Sequence, residues 1–311
     1  MMGNFFNRMY YGKDKGDYTK DDLPDNRWAL FFSMLKLNFS KLVGVNLLFL
    51  IFFLPTYFWI FQLNIPVMVS YLEEGLAYQD VILTMIWGMI PCFLVLGPGV
   101  VGVTYVTRNM SRDQNVWVVR DFFGAIKANW KQMLGMSALN GVLLVAFYIA
   151  VTFYSQMTAN MGFYMVPYAL VIVMGIYWAL MNLYIWPLMI TYELKFKEII
   201  KNSALMTVGR LPQTLFMAFF TCLLPALLML VGNVYVYIGI FVIYALFGFS
   251  VTSMGINSLT IAIFDRYINY RIKGAKINQG LRVAYDEEDE DLEGEEKEEN
   301  EIRLPKDGNP N

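Results

Sequence analysis

The stretch VILTMIWGMIPCFLVLGPGVVGVTYVTRNMSR, residues 81–112, has the composition of a membrane-spanning helix that ends at a polar boundary. Its first 27 residues contain no Asp, Glu, Lys or Arg, and Arg108 and Arg112 follow directly. A helix of about 20 apolar residues crosses the hydrocarbon core of a bilayer and satisfies its own backbone hydrogen bonds there. The stretch therefore predicts a transmembrane helix, with Arg108 and Arg112 as anchors at the inner interface.

Three more long stretches lack Asp, Glu, Lys and Arg: residues 42–63, 133–192 and 211–264. Only 16% of the 311 residues are charged, whereas about a quarter are charged in a soluble globular protein. We therefore expect an all-α integral membrane protein with six transmembrane helices. The predicted bounds of these helices are 42–63, 82–107, 134–155, 165–192, 213–232 and 234–264.

The 24 Lys and Arg residues all lie in four segments: 1–41, 108–133, 193–212 and the region from residue 265 onwards. The other connections between the predicted helices contain no Lys or Arg. Short loops that are rich in Lys and Arg stay in the cytoplasm. This distribution predicts a multi-pass protein of the cell (plasma) membrane with both termini in the cytoplasm.

The same pattern divides the chain into four regions. Residues 1–41 form a cytoplasmic N-terminal arm with an amphipathic helix, 42–264 the six-helix transmembrane domain, and 265–285 a basic juxtamembrane segment. Residues 286–311 form an acidic tail that we expect to be disordered, because residues 286–301 contain twelve acids and one lysine. A solvated tail is the first interpretation. A contact of the tail with the basic segments or with a basic partner, weakened by salt, is the alternative.

Two basic segments have the periodicity of amphipathic helices, and we name them elbow 1 (residues 119–133) and elbow 2 (residues 196–206). Apolar residues recur at helical spacing in each, with basic residues opposite. We expect short helices along the inner membrane interface that position the helical hairpins. Docking of a cytoplasmic partner, such as the ATPase subunit of a transporter, is the functional alternative. The candidate docking residues are Asp121, Phe122, Phe123, Lys127, Asn129, Trp130, Phe196, Lys197, Lys201 and Asn202.

The predicted spans contain no Asp, Glu, Lys or Arg, and the chain contains no histidine. Proton relays need buried ionisable groups, and a catalytic nucleophile needs a base. We therefore expect no enzymatic activity, no catalytic or metal-binding residues and no cofactor. Interhelical hydrogen bonding is the first interpretation of the intramembrane amides, and a polar cavity for a neutral solute is the second. These amides are Asn46, Asn140, Asn182 and Asn257.

Small residues and a proline cluster within the second predicted span, at Gly97, Pro98, Gly99 and Gly102. Glycines let helices approach closely, and a proline permits a bend. We expect a packing kink at this point. A substrate-lining break of the kind that transporters use is the alternative.

Several motifs resemble those of the YesL family, bacterial six-helix membrane proteins that contain a domain of unknown function. The matching residues are Leu37-Asn38, Gly97-Pro98, Tyr105, Arg108, Asp121-Phe122-Phe123, Lys127 and Asn129. The resemblance extends over about residues 27–212, and the long first outer connection and the acidic tail depart from the family pattern. Members of the family tend to be encoded beside carbohydrate uptake and degradation systems in Gram-positive bacteria.

The resemblance implies a non-enzymatic accessory to a carbohydrate uptake system. The alternatives are a transporter or permease subunit that moves a neutral solute such as a sugar, and a sensor that signals through its tail. The expected partners are the lipid bilayer, ABC-type sugar transporter subunits and, as a further alternative, a second copy of the chain. Nucleic acid is not expected.

Overall fold

The computed structural model of the chain describes residues 23–230, 233–272 and 275–282. Helices dominate these ranges, and no strand occurs within them. We number the helices in chain order. They are α1 Arg27–Leu37, α2 Phe39–Glu73, α3 Gln79–Met110, α4 Val118–Asn160, α5 Met165–Thr191, α6 Phe196–Gly209, α7 Leu211–Leu230 and α8 234–267.

Five helical stretches are long and apolar enough to cross a membrane. They are Phe39–Glu73, Gln79–Met110, Val118–Ala159, Gly162–Thr191 and Tyr235–Arg271. No more than 22% of the most apolar window of any of them is buried inside the protein. Large apolar surfaces turned outward are incompatible with water as the surrounding solvent. The protein is therefore a membrane protein, and its described part is all-helical.

The fifth predicted span, 213–232, falls on α7. The described apolar part of α7 is the shorter stretch Leu211–Leu223, and residues 231 and 232 lie outside the described residues. Most of the N-terminal arm and the whole acidic tail also lie outside them. Six spans, the position of both termini in the cytoplasm and the disordered tail therefore stay predictions.

Elbow 1 differs from its prediction. The prediction of a short separate helix was wrong, because α4 begins at Val118 and continues without a break for 43 residues. Gly135 lies at the predicted junction and does not interrupt the helix. A Cβ at Gly135 would lie 3.2 Å from the ring of Phe196, so this glycine lets α6 pack closely against α4. Elbow 2 is a separate helix, α6, which begins at Phe196 and ends at Gly209.

The first predicted span also continues further than expected. The predicted end at residue 63 was wrong, because α2 passes through a π-helical turn at Phe58–Asn64 and ends at Glu73. The amide of Asn64 donates a hydrogen bond of 2.6 Å to the Trp59 carbonyl. A side chain thus satisfies a carbonyl within the turn, and such satisfaction allows an irregular turn to persist in an apolar environment.

α8 contains a second π-helical turn, Tyr244–Gly248, which is held by one residue of α2. The Asn46 amide donates to the carbonyls of Tyr244 and Ala245 at 2.8 and 2.9 Å. Its carbonyl oxygen accepts from the Ser250 backbone N–H at 3.0 Å. Asn46 is fully buried, so its amide completes the backbone hydrogen bonding of the turn.

Two apolar clusters hold the helices together. One joins α4, α5, α6 and α8 around Tyr184, Leu188 and Phe264, and the other joins α1, α2, α3, α4 and α8 around Leu42 and Phe122. Tyr184 and Phe122 are both fully buried. Elbow 1 therefore contributes to the core through Phe122 and to the surface through its polar side.

α3 remains a single helix through the small-residue cluster, and the glycines lie at close helix contacts. A Cβ at Gly99 would lie 2.9 Å from Phe52, and one at Gly102 would lie 2.6 Å from the ring of Phe122. A Cβ at Gly97 would lie 2.0 Å from the Ser137 hydroxyl. Because real atoms cannot approach so closely, larger residues would push α2 and α4 away from α3.

A cationic groove between elbow 1 and the α5–α6 connection

A groove of about 1100 Å³ lies where the first half of α4 faces the end of α5 and the connection to α6. Elbow 1 contributes to it, together with the end of α3 and with residues 192–195, which directly precede elbow 2. Five basic and two acidic side chains line the groove, so its lining carries a net positive charge. These are Arg108, Arg120, Lys127, Lys131 and Lys195, with Asp121 and Glu193.

Arg108 joins two walls of the groove. Its Nη1 donates to the Ile190 carbonyl at 2.7 Å, and its Nη2 and Nε donate to the Asn109 side chain at 2.7 and 3.1 Å. The guanidinium also lies 4.7 Å from the centre of the Tyr105 ring. A planar group with several fixed donors suits this arrangement, which a lysine could not reproduce. Arg108 thus positions the end of α5 against α3.

The mouth of the groove is formed by the first turn of α4. The Asp121 carboxylate accepts the Trp117 backbone N–H at 2.8 Å, which satisfies one of the free N–H groups at the helix start. Arg120 pairs with the same carboxylate at 3.2 Å. The carboxylate of Asp121 is therefore engaged within the helix. The three lysines of the groove, Lys127, Lys131 and Lys195, are left to interact with ligands or solvent.

The opposite wall is fixed by the connection between α5 and α6. Gln132 donates to the Leu194 carbonyl at 2.6 Å. The Tyr192 hydroxyl donates to the Asn269 side chain at 2.7 Å. Burial raises the pKa of Tyr192, so this hydroxyl remains protonated and keeps donating at any ordinary pH.

The bond to Asn269 connects the groove to the region where the described chain ends. Asn269 donates to the Asp265 carboxylate at 2.6 Å, and the same carboxylate accepts Arg27 at 2.5 Å and the Asn278 backbone N–H at 3.1 Å. Burial lowers the pKa of Arg27, and Asp265 opposes that shift. The network thus ties α5, α8, α1 and residues 275–282 together at one end of the molecule.

The structure brings part of the predicted docking set into the groove. Asp121, Lys127, Asn129 and Trp130 line it, and Trp130 is 51% exposed. Lys131 lies 5.4 Å from the centre of the Trp130 ring. The groove therefore offers cations and an exposed aromatic side chain on the same surface.

The rest of the predicted set lies elsewhere. Phe122 is buried in the core, and Phe123 faces outward. Phe196 packs against Gly135, while Lys197 and Lys201 are exposed on α6 away from the groove. The remaining member, Asn202, lines a neighbouring cleft of about 550 Å³. Arg112, the second predicted anchor, is half-buried beside Arg27 and Arg108.

Sequence reasoning missed several residues of the groove, including Lys131, Gln132 and Lys195. Lys131 and Gln132 were recognised only as part of a polar helix face. The contact from Gln132 to Leu194 depends on how α4 packs against the α5–α6 connection, for which helical periodicity gives no signal. The basic charge of the segments 108–133 and 193–212, to which all five basic groove residues belong, was the one visible signal.

The four intramembrane asparagines do not form one cluster. Asn46 holds the π-helical turn of α8, and Asn257 donates to the Thr104 carbonyl and the Thr107 hydroxyl of α3 at 3.1 and 2.9 Å. Only Asn140 and Asn182 meet, at 3.0 Å. Two of the four amides therefore join α8 to its neighbours, as interhelical hydrogen bonds do.

The Asn140–Asn182 pair lies at the wall of a large apolar cavity of about 1070 Å³ between α3, α4, α5 and α6. The Trp178 indole N–H donates to Asn140 at 2.8 Å. Ser137 also belongs to the lining, and its hydroxyl oxygen is buried against Gly97 without a hydrogen-bond partner. The cavity therefore combines an apolar lining with a few polar groups, as small-molecule sites do.

Within the described ranges, no three His, Cys, Asp or Glu side chains come together as a metal site would require. The two cysteines, Cys92 and Cys222, are both free. Comparison of the chain with protein-family models, with curated proteins and with solved structures gives no match. The groove and the cavity must therefore be interpreted from their own chemistry.

Proposed function

We propose that the protein is a non-enzymatic accessory to a carbohydrate uptake system and that it docks a cytoplasmic partner in the cationic groove. The observation that carries the proposal is the meeting of elbow 1 with the basic connection between α5 and α6 in one groove, beside the exposed Trp130. Trp and Arg contribute most to protein interfaces, and complementary charge directs the encounter. The resemblance to the YesL family supports the association with carbohydrate uptake.

The Lys and Arg distribution supports a cytoplasmic position for the groove. Its five basic residues belong to segments that the charge rule assigns to the inside. A cytoplasmic partner with an acidic, partly apolar surface fits this lining. The ATPase subunit of an ABC-type sugar transporter is the partner that we propose.

The experiment is co-purification in a mild detergent from crosslinked membranes of the natural host. The test variant combines Trp130→Ala with Lys127→Glu, and the matched control combines Phe32→Ala with Lys36→Glu on the exposed side of α1. Loss of an interface anchor costs about 2 kcal/mol or more. We therefore expect recovery of transporter subunits to fall at least about tenfold for the test variant only.

Two results would count against docking in the groove. One is recovery of the native protein without any transporter subunit. The other is an equal loss of partner from the test and control variants at equal protein levels, which would indicate a nonspecific effect of charge.

A second candidate function is passage or binding of a neutral solute such as a sugar, favoured by the cavity beside Asn140 and Asn182. These amides lie in the cavity wall and offer hydrogen-bonding groups to an uncharged polar ligand. The test is solute flux into vesicles containing the purified protein, with Asn140→Ala and Asn38→Ala compared. Flux that falls only for Asn140→Ala supports this candidate, and absence of flux in the native protein argues against it.

A further inference from the structure

We propose that the acidic segment 286–301 of the same chain occupies the cationic groove when no partner is bound. This inference deepens the proposed function, on which it rests for the identity of the competing partner. The acidic segment then competes with the partner for the groove, and this competition regulates docking. Three observations lead to it: charge complementarity, the position where the described chain ends, and the length of chain beyond that position.

The charges of the two surfaces are opposite and dense. The groove has five basic and two acidic side chains, and one of these acids, Asp121, is already paired with Arg120. Lys127, Lys131 and Lys195 are exposed. The segment 286–301 has twelve acids and one lysine. Such a polyanion lowers its own electrostatic free energy when it lies along a cationic groove.

The described chain ends at the same end of the molecule as the groove. Arg282 donates its backbone N–H to the Pro24 carbonyl at 3.2 Å, and Gln279 accepts from Gln114 at 3.0 Å. Gln114 precedes the groove residue Arg120 by only six positions, and six residues span at most about 22 Å. A second connection runs from Asn278 through Asp265 and Asn269 to Tyr192 in the groove wall.

The remaining chain is long enough to reach the groove. The first acid, Asp286, follows Arg282 by four positions. The sixteen residues of 286–301 span about 55 Å when extended, more than the about 22 Å that at most separates Gln114, the partner of Gln279, from the groove residue Arg120. An extended polyanion needs no folded structure of its own to make such contacts.

The test uses the purified full chain and a carbodiimide, which joins a carboxylate to a lysine amine without a spacer. Crosslinked peptides are identified by mass spectrometry. Lys36 and Lys201 serve as internal controls, because both are exposed and neither lines the groove. We expect the acids of 286–301 to join Lys127, Lys131 or Lys195 at least about tenfold more often than the control lysines, as local charge attraction predicts.

Two further measurements sharpen the test. Raising the salt from 0.1 to 1 M shortens the screening length from about 10 Å to about 3 Å, so the groove crosslinks should fall strongly. Arg120→Gln removes one positive charge from the groove but no lysine, so it should lower the number of groove crosslinks. Arg266→Gln, on α8 outside the groove, should leave that number unchanged.

Crosslinks spread evenly over all exposed lysines, or unchanged by salt, would overturn the proposal. Mixing isotopically labelled and unlabelled protein shows whether the joined segments belong to one chain. Predominantly mixed crosslinks would overturn it in favour of a contact between copies. The crosslinking test contains no transporter subunit, so a negative result does not bear on docking of the partner. Conversely, a negative co-purification result does not bear on occupancy of the groove by the tail.

Discussion

Single buried amides have different roles in this protein, although the sequence presents them alike. Asn46 and Asn257 are both nearly inaccessible and make contacts to other helices, whereas Asn140 and Asn182 meet beside a cavity. Their intramembrane position could be predicted, because each lies inside a long apolar run. Their partners could not, because a partner depends on which helices pack together.

At Asn46 we predict that replacement by Ala lowers thermal stability in detergent. The change leaves the Tyr244 and Ala245 carbonyls and the Ser250 N–H without their side-chain partner. An unsatisfied buried polar group costs about 1–3 kcal/mol. The control, Asn38→Ala at the start of α2, removes only a weak contact to the Met34 sulfur. Equal melting temperatures for the two variants would show that the Asn46 contacts contribute nothing.

At Arg108 we predict that Lys cannot replace Arg. A lysine keeps the charge but cannot donate at once to the Ile190 carbonyl and, through two nitrogens, to Asn109. The end of α5 should then loosen, with a loss of about 1–3 kcal/mol. Thermal unfolding of Arg108→Lys, compared with Lys131→Arg in the same groove, measures this. A melting temperature equal to that of Lys131→Arg would contradict the positioning role.

The helices themselves were easier to foresee than their ends. Uncharged runs located the apolar stretches, since charge is excluded from the bilayer interior. The continuation of α2 to Glu73 and the fusion of elbow 1 with α4 were missed. In α2 the helix continues past the polar Asn64 through an apolar stretch, and in α4 the sequence changes from basic to apolar while the backbone stays helical. A boundary of polarity is therefore not a boundary of secondary structure in this chain.

The close contact between α3 and α4 at Gly102 predicts that a larger residue at this position destabilises the protein. Gly102→Ala should destabilise the protein by about 1–3 kcal/mol, because the new Cβ would lie 2.6 Å from the Phe122 ring. Gly44→Ala on α2 is the matched control. Its Cβ would meet only Val118 at 3.9 Å, and Ala favours a helix over Gly by up to about 1 kcal/mol.

Thermal unfolding of both variants gives the comparison. Adding Phe122→Leu to Gly102→Ala should recover part of the loss, since the smaller side chain relieves the overlap. If Gly102→Ala melts at the same temperature as Gly44→Ala, the helices are free to move apart and the close contact is not required.

At the scale of the whole molecule, we predict that α1 and α6 face the cytoplasm and that the turn after α2 faces outside. Single cysteines at Lys36, Lys201 and Glu74, in a chain lacking Cys92 and Cys222, report the side of each. A membrane-impermeant maleimide added to intact cells should label only the cysteine at position 74. The Lys and Arg distribution is the physical reason. Labelling of position 36 or 201 from outside would reverse the orientation and remove the groove from the cytoplasm.

The buried contact of Arg27 with Asp265 also sets an order of events during biosynthesis. Arg27 leaves the ribosome long before Asp265 and Asn278 are made, so α1 has no ionic partner while the intervening helices enter the membrane. An uncompensated buried charge is costly, and α1 can settle only after the last long helix has been inserted. The first described helix, α1, is thus among the last to reach its final place.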